Sequence, residues 1–238
     1  MRSDFQTEVR TASSVPAVNR LLPVYTGIFV GVLILSNILA SKMVQLGPFV
    51  FDGGTLLFPL SYIFGDVLTE VYGYKQSRKV IWTGFAMLVI MTVNIWIIGL
   101  LPAESSWTLQ EAFAGILMQM PRIAAASIIG YFAGEYSNSV VLSVVKVKTG
   151  GKHLWMRTIS STLVGELLDS ALFVVIAFAG LYEANVLIVM ALSNYLFKTV
   201  IEIVFTPVTY AVVGFTKKIE RADAFDYGER YNPLPGSR

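Results

Sequence analysis

The sequence has no cysteine and a single histidine, His153, among 238 residues. Disulfides and thiolate metal sites are excluded, and so are imidazole clusters. Charge is also scarce: 14% of the residues are charged and the formal net charge is +2. A soluble domain carries roughly 25% charged residues, and so small a positive excess does not suit a nucleic-acid surface. There is no Gly-rich phosphate-binding loop, so any use of ATP requires a partner chain. Residues 1–20 lack a short apolar core followed by a small-residue cleavage site. No cleaved signal peptide is expected, and the first apolar run is expected to serve as an uncleaved anchor.

What the sequence has in quantity is apolar surface. Hydrophobic residues make up 55% of the chain and mean hydropathy is +0.64. One core cannot hide that many apolar side chains and still leave a polar coat, so the expected solvent is lipid. A helix crossing about 30 Å of hydrocarbon needs roughly 20 mostly apolar residues. Six such runs occur, near 23–44, 55–74, 80–101, 123–145, 159–182 and 186–215. The expected fold is an all-α integral membrane protein, a bundle of six transmembrane helices spanning 23–215. A cytoplasmic segment, 1–22, precedes it and a cytoplasmic tail, 216–238, follows.

The loops set the orientation. With six spans, all of the 18 basic residues except Lys42, Arg122 and Lys198 fall on one side. The opposite loops hold Asp52, Glu104, Glu111 and Glu183. The positive-inside rule then puts both termini in the cytoplasm, and an odd number of spans would scramble the alternation. Between spans three and four, Thr108-Leu-Gln-Glu111 reads as a capping box. Leu109, Phe113, Ile116, Leu117 and Met120 then share a face, as in a short amphipathic helix on the outer surface. Gly65-Asp66 and Gly165-Glu166 occupy matching places in spans two and five, a hint of two inverted three-helix halves.

The spans carry charges that lipid does not tolerate. An ionised side chain at the bilayer centre costs roughly 2.5–3.5 kcal/mol on insertion scales, yet Asp66, Glu70, Glu135, Glu166, Asp169, Lys198 and Glu202 lie within or near the spans. They must face one another, water or a ligand. Helical spacing sorts them into stripes. Phe58, Tyr62, Asp66 and Glu70 step by four on span two. Glu166, Asp169 and Phe173 share a face of span five, and Asn194, Lys198 and Glu202 step by four on span six. Facing inward, the stripes make a cavity of acceptors, one cationic donor and flat apolar walls, suited to a planar, donor-rich solute. Each stripe also has a plainer reading. Lys198 and Glu202 neutralise each other, Glu135 pairs with Arg122, and Glu70 reaches Lys75 or Arg78. Asn37 makes a helix–helix hydrogen bond, and the aromatics merely pack. Pro59 and Pro207 are expected to free backbone carbonyls inside their spans.

Ser36-Asn37, Phe58-Pro59 followed by Asp66 and Tyr72-Gly73, Arg122-Ile123-Ala124, Ser161-Thr162-Leu163 leading to Gly165 and Asp169, and Phe197-Lys198 together resemble the queuosine precursor transporter family, also called the vitamin uptake transporter family. The likeness covers about residues 23–215. It implies a bacterial inner-membrane importer of the 7-deazaguanine bases 7-cyano-7-deazaguanine and 7-aminomethyl-7-deazaguanine, precursors of a modified tRNA nucleoside. It implies no cofactor, and it carries Asn37, Phe58, Asp66, Arg122, Asp169 and Lys198 over as binding positions. A guanine-like edge offers N–H donors that a carboxylate accepts, and its ring suits an aromatic wall. A homodimer is the expected assembly. Two other readings stand beside this one. The first is a substrate-binding subunit of a partner-energised vitamin transporter. The second is an intramembrane aspartyl protease using Asp66 and Asp169, disfavoured because residue 63 is Ile where such proteases have Gly.

Overall fold

The computed structural model describes residues 19–226, without the side chains of Phe58, Pro59 and Tyr62. Helix α1 (Leu22–Leu39) leads into a short antiparallel hairpin, β1 (Met43–Leu46) and β2 (Phe49–Asp52), and a 3-10 turn (Gly53–Leu56). Then come α2 (Phe58–Tyr72), α3 (Tyr74–Leu100), α4 (Gln110–Leu117), α5 (Met120–Thr149), α6 (Leu154–Phe178) and α7 (Ala184–Glu220). A chain in lipid must satisfy its backbone polar groups within each segment, which helices do. Five helical stretches are long and apolar enough to cross a membrane: α1, α3, α4 with α5, α6 and α7.

The second expected span departs from this pattern. Helix α2 has 15 residues, which at 1.5 Å each reaches about 22 Å, short of the hydrocarbon thickness. The hairpin and 3-10 turn precede it in the chain. Pro59 stands in the first turn of α2, where its missing N–H breaks no intrahelical bond, so it frees no carbonyl inside the helix. Pro207 does lie inside α7. The capping box also fails to form. Leu109 occupies the N-cap of α4 with no side-chain cap bond, so Thr108 does not start that helix.

Long-range bonds show which helix ends meet. At one end, Glu220 accepts from the backbone N–H of Leu21, from that of Arg20 at 3.0 Å and from the Tyr72 hydroxyl at 3.0 Å. The start of α1 and the ends of α2 and α7 therefore gather there. Lys75, Arg78, Lys146, Lys148, Arg157, Lys217 and Lys218 lie in helix turns at this same basic end, and Lys152 lies in the loop between α5 and α6. At the other end Arg122 donates to the carbonyls of Ile176, at 3.0 Å, and Ala179, at 2.6 Å. It caps carbonyls that the end of α6 would otherwise leave open.

The interior is inverted relative to a soluble protein. Leu192, Val204 and Ile98 are more than half exposed, while Asp, Glu, Lys, Arg, Ser and Thr fill much of the inside. Two apolar clusters flank the polar interior. One joins Phe29, Leu33, Val67, Leu68, Phe85 and Tyr131. The other joins Ala40, Ile123, Phe173, Val174, Phe178 and Met190 at the hairpin end.

The hairpin end is held by close backbone approach. A Cβ on Gly53 would stand 2.6 Å from the Leu39 carbonyl oxygen, and one on Gly54 would overlap that of Ser36. Gly54→Ala is therefore expected to cost about 1–3 kcal/mol through overpacking. That is a fall of about 2–12 °C in the melting temperature of the detergent-solubilised protein. Gly27→Ala, where a Cβ meets nothing within 4 Å, should leave the melting temperature unchanged.

Candidate functional site

The stripes of α6 and α7 face inward and meet. Lys198 of α7 lies 2.5 Å from Asp169 Oδ2 and 3.5 Å from Glu166 Oε2, all three buried. The i, i+3 spacing puts both α6 carboxyls on one face, and a buried ammonium needs such partners. Lys198 thus turns to α6, and Glu202 is left with no hydrogen-bond partner for either oxygen. The pairing of Lys198 with Glu202 is corrected accordingly. Neighbours at i and i+4 on one helix share a face, but the Lys198 side chain reaches across to another.

Two further carboxyls enter from α2 and α5. Asp66 Oδ1 accepts from the Asn138 amide at 2.9 Å, while its Oδ2 has no partner. Glu135 is fully buried with both oxygens unpartnered. A Cβ on Gly65 would overlap the Glu135 carboxyl, so Gly65 lets α2 and α5 close on each other at this level. Gly130 does the same between α5 and α6, where an added Cβ would stand 3.1 Å from Asp169 Oδ1. Arg122, an exposed residue at the start of α5, lies too far along that helix to pair with Glu135. Thirteen residues separate the two, about 20 Å of rise.

Towards the hairpin, Asp52 accepts from the Thr55 N–H at 3.2 Å, from the Thr55 hydroxyl at 2.9 Å and from the Asn194 amide at 3.4 Å. Phe51 stacks on Phe197 with ring centroids 5.0 Å apart. Asn37 is buried on α1, its amide donating to the Leu33 carbonyl at 2.9 Å and its oxygen unpartnered. Phe173 packs edge-on against Phe178 in the apolar cluster beside the acids. The side chains of Phe58 and Tyr62 lie outside the described residues.

Towards the basic end, Glu70 is no neighbour of Lys75 or Arg78. It pairs with Arg157 at 2.7 Å, Lys217 at 2.8 Å and Lys146 at 3.4 Å. Arg157 and Lys146 read as loop residues in the sequence, yet both are buried.

The centre is therefore a buried compartment rich in acceptors. Asp66, Glu135, Glu166, Asp169 and Glu202 each keep at least one unpartnered oxygen, and the hydroxyls of Ser127, Thr162, Ser170 and Thr199 are unpartnered too. Buried polar groups without partners are rare and costly. What such a lining lacks is N–H donors, which a solute with several of them supplies. No group of three or more metal-ligating side chains occurs among the described residues. A separate groove of about 550 Å³, lined by Trp82, Phe85, Val89, Ile90, Ile128 and Phe132, is apolar throughout and lies apart from the acids.

Residues 52–212 match the profile of a family described as "Putative vitamin uptake transporter". The chain belongs to that family. It is thus a multi-pass membrane transporter and not an enzyme. Three relatives fit this assignment. The chain is 28% identical to a "Probable queuosine precursor transporter" of Bacillus subtilis over 79% of this chain and 83% of the relative. It is 28% identical to the "Queuosine precursor transporter" of Escherichia coli over 75% and 79% of the two chains. It is 28% identical to a "Probable queuosine precursor transporter" of Haemophilus influenzae over 67% of each. No solved structure matches the chain. The family match begins at Asp52 and includes Asp66, Glu135, Glu166, Asp169, Lys198 and Glu202, so the whole carboxyl cluster lies inside it.

Removing one partner of a buried ion pair costs about 3–5 kcal/mol, so Lys198→Met should lower stability by that order. Asp169→Asn should cost less, because Glu166 remains beside the ammonium. Lys198→Met/Asp169→Leu should recover part of the loss. Denaturation in mixed micelles reads all three. A Lys198→Met variant as stable as the parent would refute the pairing.

Proposed function

We propose that this transporter imports 7-deazaguanine bases, 7-cyano-7-deazaguanine and 7-aminomethyl-7-deazaguanine, across the inner membrane to feed queuosine formation in tRNA. The observation that carries this reading is the central set of unpartnered carboxyl oxygens beside a single ammonium, Lys198. A guanine-like edge presents an N1–H and an amino group side by side, which one carboxylate accepts together. Its O6 is an acceptor and needs a donor, which Lys198 supplies. The aminomethyl form adds a cation, for which a second carboxylate is at hand. The names of the relatives support the solute class.

In this reading Asp66, Glu135, Glu166, Asp169, Lys198 and Glu202 form the binding centre. Asn37 and Asn194 edge it towards the hairpin, and Phe58, Tyr62 and Phe173 supply its flat walls. The unit spanning 23–215 crosses the membrane six times, α2 with its hairpin counting as one crossing, and the paired Gly65-Asp66 and Gly165-Glu166 support two inverted halves. Both termini face the cytoplasm, supported by the basic residues gathered at one end of the bundle. Pairing of two copies through the remaining apolar surface completes the proposal.

The test is import in cells that lack both queuosine-precursor synthesis and their own importer. Supplied with either base at low concentration, cells expressing this protein should restore queuosine in tRNA. Asp169→Asn, still present in the membrane, should reduce the restoration at least tenfold. No restoration with either base would overturn the substrate assignment.

A further inference from the structure

Beyond Glu220 the chain turns at Arg221, which holds a positive φ of 51°, and runs back across the basic end of the bundle. Ala224 N–H donates to the Val71 carbonyl at 3.2 Å. Lys146 Nζ donates to the Ala224 carbonyl at 2.5 Å and to Asp223 Oδ1 at 2.8 Å, and Lys217 reaches the same Asp223 oxygen at 2.9 Å. Asp226 accepts from the Tyr74 N–H at 3.1 Å and from the Ser143 hydroxyl at 2.6 Å. The Phe225 ring sits 4.5 Å from the Lys146 ammonium. Four consecutive residues, Asp223 to Asp226, thus contact α2, α3, α5 and α7.

The sequence beneath is shaped for this contact. Gly73, between α2 and α3, has a φ of 84°, and a Cβ there would stand 3.1 Å from that of Ala224 and 3.0 Å from Asp226 Oδ1. Under the segment lies the layer in which Glu70 meets Arg157, Lys146 and Lys217. Between that layer and the carboxyl centre stand buried hydroxyls. Thr69 and Ser139 lie 3.2 Å apart, and Thr158, Ser161 and Thr209 are also enclosed. The polar interior therefore continues from the centre to the basic end and stops at ion pairs. Burial raises the Asp223 carboxyl, but the hydrogen bonds and charges of Lys146 and Lys217 outweigh it and hold the group below the usual carboxylate range.

Ion pairs suit a closure that must open repeatedly. Parted into water, each charge exchanges a partner for hydration and regains the desolvation cost that burial of the pair imposed. An apolar seal would instead expose oily surface at every opening. We propose that residues 221–226 are a strap that shuts the basic end of the transport path. Glu70 and Asp223, through Lys146, Lys217 and Arg157, hold it closed, and solute leaves only when it lifts. This rests on the transport reading, and it assigns Glu70 to the closure and not to solute binding.

Because the chain has no cysteine, an introduced pair is unambiguous. Ser143→Cys/Asp226→Cys, joined by a short bis-methanethiosulfonate in proteoliposomes, should lose at least nine-tenths of its uptake of 7-aminomethyl-7-deazaguanine and regain it on reduction. Uptake by the cross-linked protein equal to that of the reduced protein would overturn the proposal. A second readout needs no solute. Ser139→Cys should react with a membrane-impermeant maleimide at least fivefold faster in detergent when Asp223→Ala is added. An unchanged labelling rate would sink the strap even if import is confirmed. Faster labelling without import of either base would keep the strap and reject the substrate.

Discussion

A single ammonium, that of Lys198, sits among five buried carboxyls, and the placement of the helices follows from it. An ammonium in a dehydrated bundle is tolerated only in hydrogen-bonding contact with opposite charge. The contact at 2.5 Å to Asp169, with Glu166 at 3.5 Å, therefore sets how α7 is turned towards α6. With Lys198 so directed, Asn194 one turn earlier faces Asp52 and Thr55, and Glu202 one turn later faces the centre. One rotation of α7 satisfies all three levels, because residues four apart lie one above another.

Glycine governs how near the other helices can come. Gly65 and Gly130 face carboxyls, not apolar side chains. In membrane bundles small residues let backbones approach where no hydrophobic force draws helices together. Here they also make room for acids in the spaces they leave. The two apolar clusters lie on either side of this polar region, so tight packing and orphaned acceptors alternate along the bundle axis.

Much of this was legible in the sequence. The long apolar runs gave α1, α3, α5, α6 and α7 within a few residues, and the stripes at 166, 169, 173 and at 194, 198, 202 face the interior as their spacing requires. Features set by distant partners were not legible. Nothing near Glu70 in the sequence announces Arg157 or Lys217, and local reading preferred Lys75. Arg157 and Lys146 counted as loop charges because their positions mark a helix end, which says nothing of what the end packs against. The short α2 was hidden because residues 55–74 are apolar enough to continue as helix. Asp52-Gly-Gly-Thr55 did carry a signal, since Asp before a Gly-rich turn commonly accepts from the backbone N–H two or three residues on. Asn138, three residues after Glu135, also lay on the charged face of α5.

The acids of the interior divide by partner, and the division separates two tasks. Glu70, Asp223 and Glu220 are each held by ammonium, guanidinium, hydroxyl or backbone donors at the basic end, with Glu70 Oε2 alone left over. They serve to hold parts together. Glu202 has no donor, Glu135 has only the Tyr131 hydroxyl beside it, and Asp66, Glu166 and Asp169 each keep an oxygen without one. A buried acceptor left unmatched costs about 1–3 kcal/mol, and a chain that sets three cations around Glu70 does not lack the means to set one beside Glu135. Most of the unmatched carboxyl oxygens lie where α2, α5, α6 and α7 converge, and one, Glu70 Oε2, lies under the strap. In the proposed reading, donors missing from the protein at the convergence are the donors a solute brings.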